Sequence, residues 1–175
     1  MERIEIPDGT GDPEVRMWKL RPEMGIGAGT LSHAVYEQSI LGVRVRELAR
    51  MRIAQINDCA ICQQWRKTAG TADALTEADF AHVEQWRTYP GYAPRERLAV
   101  EYAERFALDH RAIDDDFFAR LHAEYTDAEI LDLTVCIGAW LALGRTMNVL
   151  GIDSSCRLTP SDPTEMPRRG PADTI

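Results

Sequence analysis

The sequence has little cysteine, and what it has is unevenly placed. Of 175 residues four are Cys: Cys136 and Cys156 stand alone, and Cys59 and Cys62 form one close pair. A structural zinc at that pair would need two further ligands at short spacing, and no histidine lies between residues 34 and 81. Basic charge is also short. Lys and Arg number 20 against 28 Asp and Glu, a net charge of −8 that opposes phosphate backbones, and no basic patch offsets it. No nucleic-acid partner is expected. Long apolar runs are missing too. The first residues, MERIEIPDGTGDPEVR, contain no apolar core of a signal peptide, and the greasiest stretch, residues 135 to 144, falls short of a bilayer span. No membrane association is expected, and the predicted location is the cytoplasm. There thiols are kept reduced, so a CxxC is read as catalytic or metal-binding before it is read as a staple. Finally, period-two alternation never persists beyond a few residues, which excludes strands and leaves an all-α chain of about six or seven helices.

What is present suits one domain. Hydrophobic residues make up 45% and charged residues 27%, the balance of an ordinary globular core. Residues 1–20 read as an extended arm whose Trp18 needs cover, from its own domain or from a neighbouring subunit. Residues 21–156 form the domain, and the Pro-rich segment 157–175 is a tail with no reason to fold alone. Glycines at 25, 27 and 29 delay the first helix to Gly29 or Thr30, because each costs about 1 kcal/mol inside a helix. The next helix spans 43–56, with Val45, Leu48, Ala49, Ile53 and Ile56 on one face and Arg44, Arg46, Arg50 and Arg52 forming a solvated face. Glu47 lies between the two sectors.

Further caps mark the rest. Thr76 with Asp79 starts a short helix, Pro94 opens APRERLAVEYAERFALD, and Thr126 with Glu129 caps the long apolar helix that ends near Gly151. That last helix is apolar nearly all round and must be central. His110 sits where a helix C-terminus favours a cation, and His122 reads as a surface residue.

The chemistry concentrates in residues 47–66, ELARMRIAQINDCAICQQWR. Asn57 and Asp58 are good N-cap residues, so a helix starting at or beside Cys59 places both sulfurs among free backbone N–H groups, which favours thiolate. The helix should run to Lys67 or beyond, with Ala69 and Gly70 as its stop. Three positions apart, the cysteines share a face at a spacing a disulfide can bridge. Redox chemistry leads; a pair of inert buried cysteines remains open. If the chain reverses at Asn57 and Asp58, Glu47 lies about 15 Å up one helix and Arg66 about 10 Å up the other, so the two can face each other across a hairpin.

On these residues the chain resembles the carboxymuconolactone decarboxylase and AhpD-like alkylhydroperoxidase superfamily. The likeness covers residues 22 to 152. It rests on a Glu twelve positions before the first Cys (59 − 47 = 12), the CxxC, the RERLAVEYAERFA helix and the closing GRTMNVLGI. It implies an AhpD-like helical bundle, assembled as a dimer, trimer or hexamer, that reduces a small hydroperoxide with electrons from a thiol or dithiol and uses neither metal nor organic cofactor. Carried over, Glu47 is the relay carboxylate, Cys59 the resolving cysteine open to an exchange partner, and Cys62 the cysteine that attacks peroxide. The family histidine four residues past the second Cys is Arg66 here, and Ile61 stands where some relatives have another histidine. Arginine stays protonated and cannot act as a base. Arg66 then either stabilises the Cys62 thiolate by charge, with Glu47 positioning it or a water, or forms only a structural ion pair with Glu47. A lactone decarboxylase and a non-catalytic redox-sensing or structural oligomer of the same fold are the alternatives.

Overall fold

The computed structural model describes residues 2–66 and 73–152. Among the described residues there are eight α-helices, three short 3₁₀ turns and no strand. In chain order the helices are α1 (Pro13–Arg16), α2 (Pro22–Glu37), α3 (Val43–Ile56), α4 (Ala60–Gln64), α5 (Glu77–Ala81), α6 (Pro94–Asp109), α7 (Asp115–Glu124) and α8 (Asp127–Val149).

The predicted caps form where short-range chemistry dictates them. Thr76 Oγ1 accepts from the Asp79 N–H while Asp79 Oδ2 accepts from the Thr76 N–H, and Thr126 and Glu129 make the same reciprocal pair at the start of α8. Asp114 accepts from the Phe117 N–H to start α7, and Pro94 occupies the first turn of α6. Gly151, at φ +70°, sits in the left-handed position just past α8.

α3 is the axis of the molecule. On one side Val45, Ala49 and Ile53 join Val35 of α2, Leu98 and Tyr102 of α6, Phe117 and Leu121 of α7, and Leu133, Ile137 and Trp140 of α8 in the main core. On the other, Leu48, Met51 and Ala54 meet Leu75, Phe80, Val83, Trp86, Tyr92 and Val100 in a second cluster, with Cys62 packed on its edge. A helix covered on both sides has no solvated face. Arg46 and Arg50 are therefore buried, contrary to the arginine surface expected from the sequence, while the half-buried Arg44 and Arg52 pair with Glu96 and Asp79 and with Glu104.

Three other expectations are corrected. Residues 13–20 are helical, as α1 and a 3₁₀ turn over Met17–Leu20, rather than extended. α2 begins at Pro22, seven residues ahead of Gly29, because Gly25 is where Trp18 packs: a Cβ there would lie 2.8 Å from the Trp18 Cβ. The glycine is used for close approach, and Trp18 is covered in part by its own chain. α4 ends at Gln64, with Trp65 extended, short of Lys67; the expected stop at Ala69 and Gly70 falls outside the described residues.

By length and composition α8 is apolar enough to cross a bilayer, which the shorter window 135–144 had excluded. It packs against α2, α3, α6 and α7. It is nevertheless two-faced: Leu133 is 0% exposed, whereas Leu131 is 65% exposed and Val135 is also open. Leu133→Ala should cost about 2–5 kcal/mol in chemical denaturation, and Leu131→Ala should stay within about 0.5 kcal/mol. Equal losses at the two positions would mean that the outer face of α8 is covered.

Candidate functional site

The α3–α4 turn that carries the cysteines is held from both ends. Asn57, which reads in the sequence as an N-cap candidate, is the C-cap of α3 and is itself buried. Its side-chain amide donates to the Trp140 and Leu141 carbonyls at 3.2 and 3.4 Å, and its Oδ1 accepts from Arg145 Nε at 3.1 Å. Asn148 Nδ2 donates to the Asn57 and Asp58 carbonyls at 2.8 and 3.3 Å. Gly144 leaves room for this, since a Cβ there would meet Asn57 Nδ2 at 2.6 Å. The GRTMN segment thus clamps the turn to α8. Asp58, at φ +52°, reverses the chain, and Asn and Asp are among the residues that tolerate that conformation.

Cys59 follows in extended conformation as the N-cap of α4. Its sulfur accepts from the Cys62 N–H at 3.2 Å, the bond an Asn or Ser cap would otherwise make. Cys59 and Cys62 are joined as a disulfide with a Cα–Cα distance of 5.3 Å, within the usual span. Their exposures oppose the assignment carried over from the resemblance. Cys59, expected to be open to an exchange partner, is 1% exposed, and Cys62, expected to attack peroxide, is partly exposed.

The second anchor is Arg50. Its Nε donates to Glu47 Oε2 at 2.8 Å, and the two side chains are 2% and 1% exposed. Nη1 donates to the Cys62 carbonyl at 2.6 Å and Nη2 to the Trp65 carbonyl at 3.1 Å. One guanidinium therefore neutralises Glu47 and supplies donors to the carbonyls at the end of α4, and its Cζ lies 5.8 Å from the Trp65 ring centroid. Arg46 Nε approaches Glu47 Oε1 at 3.6 Å, too far for a hydrogen bond; among the described residues neither that oxygen nor Trp140 Nε1 has a hydrogen-bond partner. Tyr36 places its ring edge on Trp65 at 4.6 Å, and burial pushes its phenol well above the usual range.

Arg66 does not face Glu47. Its guanidinium pairs with both Glu77 carboxylate oxygens and donates to the Gln63 and Trp65 carbonyls, and its hydrogen bonds hold the Glu77 carboxyl below the usual range. Arg50, placed on the solvated face by periodicity, takes the position across from Glu47 instead. Its i,i+3 spacing from Glu47, within a run flanked by Ala49, Met51, Ile53 and Ala54, was the available signal. The histidines are engaged elsewhere: His82 stacks on Tyr89, His110 caps α6, His122 pairs with Asp127, and His33 lies in a groove beside Trp18. Burial, and then the hydrogen bond to Asp132, push the Cys136 thiol up to about 12, away from the thiolate that reacts. Among the described residues no three His, Cys, Asp or Glu side chains are grouped to hold a metal.

A helical domain with a CxxC at the foot of a helix that buries a Glu–Arg pair defines a class of thiol-bearing bundle. The family model described as the carboxymuconolactone decarboxylase family matches residues 22–105. The chain is 30% identical over 129 residues to uncharacterized protein YnjA of Escherichia coli, covering 70% of this chain and 68% of that one. It is 26% identical over 116 residues to uncharacterized protein YdfG of Bacillus subtilis, covering 66% and 79%. The crystal structure of ATU0492 of Agrobacterium tumefaciens, a protein of unknown function, superposes with a TM-score of 0.66 at 29% identity over 77% of this chain and 92% of that one. The chain belongs to the carboxymuconolactone decarboxylase family, within the AhpD-like superfamily.

The buried ion pair makes a stability prediction. Arg50→Met leaves Glu47 uncompensated in the core and should cost about 3–5 kcal/mol in urea unfolding, whereas Glu47→Leu with Arg50→Met should recover most of that loss. If the double variant is as unstable as the single, the cost lies in Arg50's bonds to the Cys62 and Trp65 carbonyls rather than in the stranded carboxylate.

Proposed function

We propose that this protein is a thiol-dependent peroxidase and disulfide oxidoreductase that reduces hydroperoxides through Cys59 and Cys62. The observation that carries the reading is the Cys59–Cys62 disulfide at the start of α4, seated on the buried Glu47–Arg50 pair. A CxxC that closes without disturbing its helix can cycle between dithiol and disulfide.

In this reading Cys62, the partly exposed cysteine, attacks the terminal peroxide oxygen. The O–O bond breaks, the alcohol leaves with a proton, and Cys62 becomes a sulfenic acid. The Cys59 thiolate then attacks the Cys62 sulfur, forming the disulfide and releasing water. A thiol or dithiol reductant restores both thiols. Glu47, held by the same Arg50 that donates to the Cys62 carbonyl, serves as the proton relay. Arg66, four residues past Cys62 and beyond the end of α4, adds positive charge near the site, moderated by its Glu77 partner. The reduced thiol pool of the cytoplasm suits such a cycle.

Cys62→Ser should abolish peroxide consumption in a thiol-coupled assay. Cys59→Ser should form a sulfenic acid, trapped with dimedone, and then stall. Parental turnover in both variants would end the reading.

We also propose that the chain works as a homo-oligomer. Met24, Ile26 and Leu31 on α2 leave large apolar side chains exposed along one long helix, Ile26 at 71%. Light scattering should return a multiple of 19.7 kDa at micromolar concentration; a monomer mass refutes the assembly.

A further inference from the structure

We propose that reduction of the disulfide enters through Cys62, with Cys59 as the sulfur expelled. The inference deepens the thiol-redox reading above and rests on it for the identity of the co-reactant, a thiolate. It inverts the order implied by the family resemblance, in which the first cysteine faces the exchange partner.

Two observations set the direction. Thiolate attack on a disulfide requires approach to one sulfur opposite the bond that breaks, so the accessible sulfur is the one attacked. Cys59 is 1% exposed, its N–H bonded to the Ala54 carbonyl at the foot of α3, whereas Cys62 is partly exposed between Ile61 and Gln63, which are also partly exposed. The second concerns the leaving group. Cys59 Sγ already accepts the Cys62 N–H at 3.2 Å, so the charge that arrives on it at cleavage meets a hydrogen-bond donor in place. A better-stabilised thiolate leaves faster. Access and leaving-group stability point to the same bond polarity.

The electrons balance as follows. The reductant thiolate RS⁻ forms an S–S bond to Cys62 as the Cys59–Cys62 bond breaks, leaving Cys59 as thiolate. A second reductant thiolate attacks the R sulfur of the mixed disulfide, forming RSSR and releasing Cys62 as thiolate. Two electrons enter the protein, and both thiolates take protons from solvent according to pH. Cys62 thus meets both oxidant and reductant, while Cys59 reacts only with Cys62.

The test treats oxidised full-length protein with glutathione, quenches in acid, blocks free thiols with N-ethylmaleimide at low pH, and locates the glutathione adduct by fragmentation mass spectrometry. The adduct should appear first on Cys62, at least tenfold over Cys59. An adduct first on Cys59, or equal labelling, overturns the proposal. Reduced Cys59→Ala and Cys62→Ala proteins treated with glutathione disulfide give a second measure: Cys62 in the former should couple at least tenfold faster than Cys59 in the latter, and comparable rates also overturn it. The two ideas fail separately. Adduct on Cys62 without peroxide turnover leaves the entry point standing and removes the peroxidase, whereas turnover with adduct on Cys59 does the reverse.

Discussion

The Glu47–Arg50 contact is the constraint from which the site follows. Two charges taken out of water cost several kcal/mol each, and a lone pair in a core seldom recovers that. Here the guanidinium also donates to the carbonyls of Cys62 and Trp65, so the desolvated donors are used and the C-terminal end of a five-residue helix is satisfied. A helix so short has no stability of its own. α4 exists because Arg50 reaches it from α3 and because the Asn57 clamp fixes the turn before it. Burying the arginine in turn requires α3 to be covered on both sides, which is why one helix divides the two apolar clusters.

Legibility in the sequence divided along the range of the interactions involved. The caps at Thr76, Pro94 and Thr126 depend on contacts within four residues, and the structure has each of them. The disulfide spacing is equally local. Burial is not local, and it is burial that moved Arg46 and Arg50 inside, because periodicity on α3 shows an apolar face but cannot reveal that α5, the turn after it and α6 cover the opposite one. Gly25 failed for the same reason: a propensity cost of about 1 kcal/mol is overridden when Trp18 stacks against the missing Cβ. The expected Glu47–Arg66 pairing was right about the hairpin and wrong about the cation, since Glu77, eleven residues on, reaches Arg66 first.

With Arg66 engaged by Glu77, Glu47 is the carboxylate linked to the dithiol through Arg50, and its geometry bears on what it can do. Oε2 is tied to Arg50 at 2.8 Å, whereas Oε1 has no hydrogen-bond partner among the described residues. A buried carboxylate oxygen without a donor carries a desolvation penalty of roughly 1–3 kcal/mol, or more for a charged group. That oxygen belongs to the residue that the family resemblance marks as the relay.

The two anchors also limit how the turn can move when the disulfide opens. Asn57 and Asp58 are held by Asn148 and Arg145, and the Cys62 carbonyl by Arg50, so the backbone on either side of the sulfurs is pinned to α3 and α8. The Cα atoms stand 5.3 Å apart, a separation equally suited to two thiols in contact, so the change between oxidation states falls on side-chain rotation. Cys59 has little freedom, being buried and bonded to the Cys62 N–H. Rotation of Cys62, at the edge of the second cluster, is the motion left to the pair.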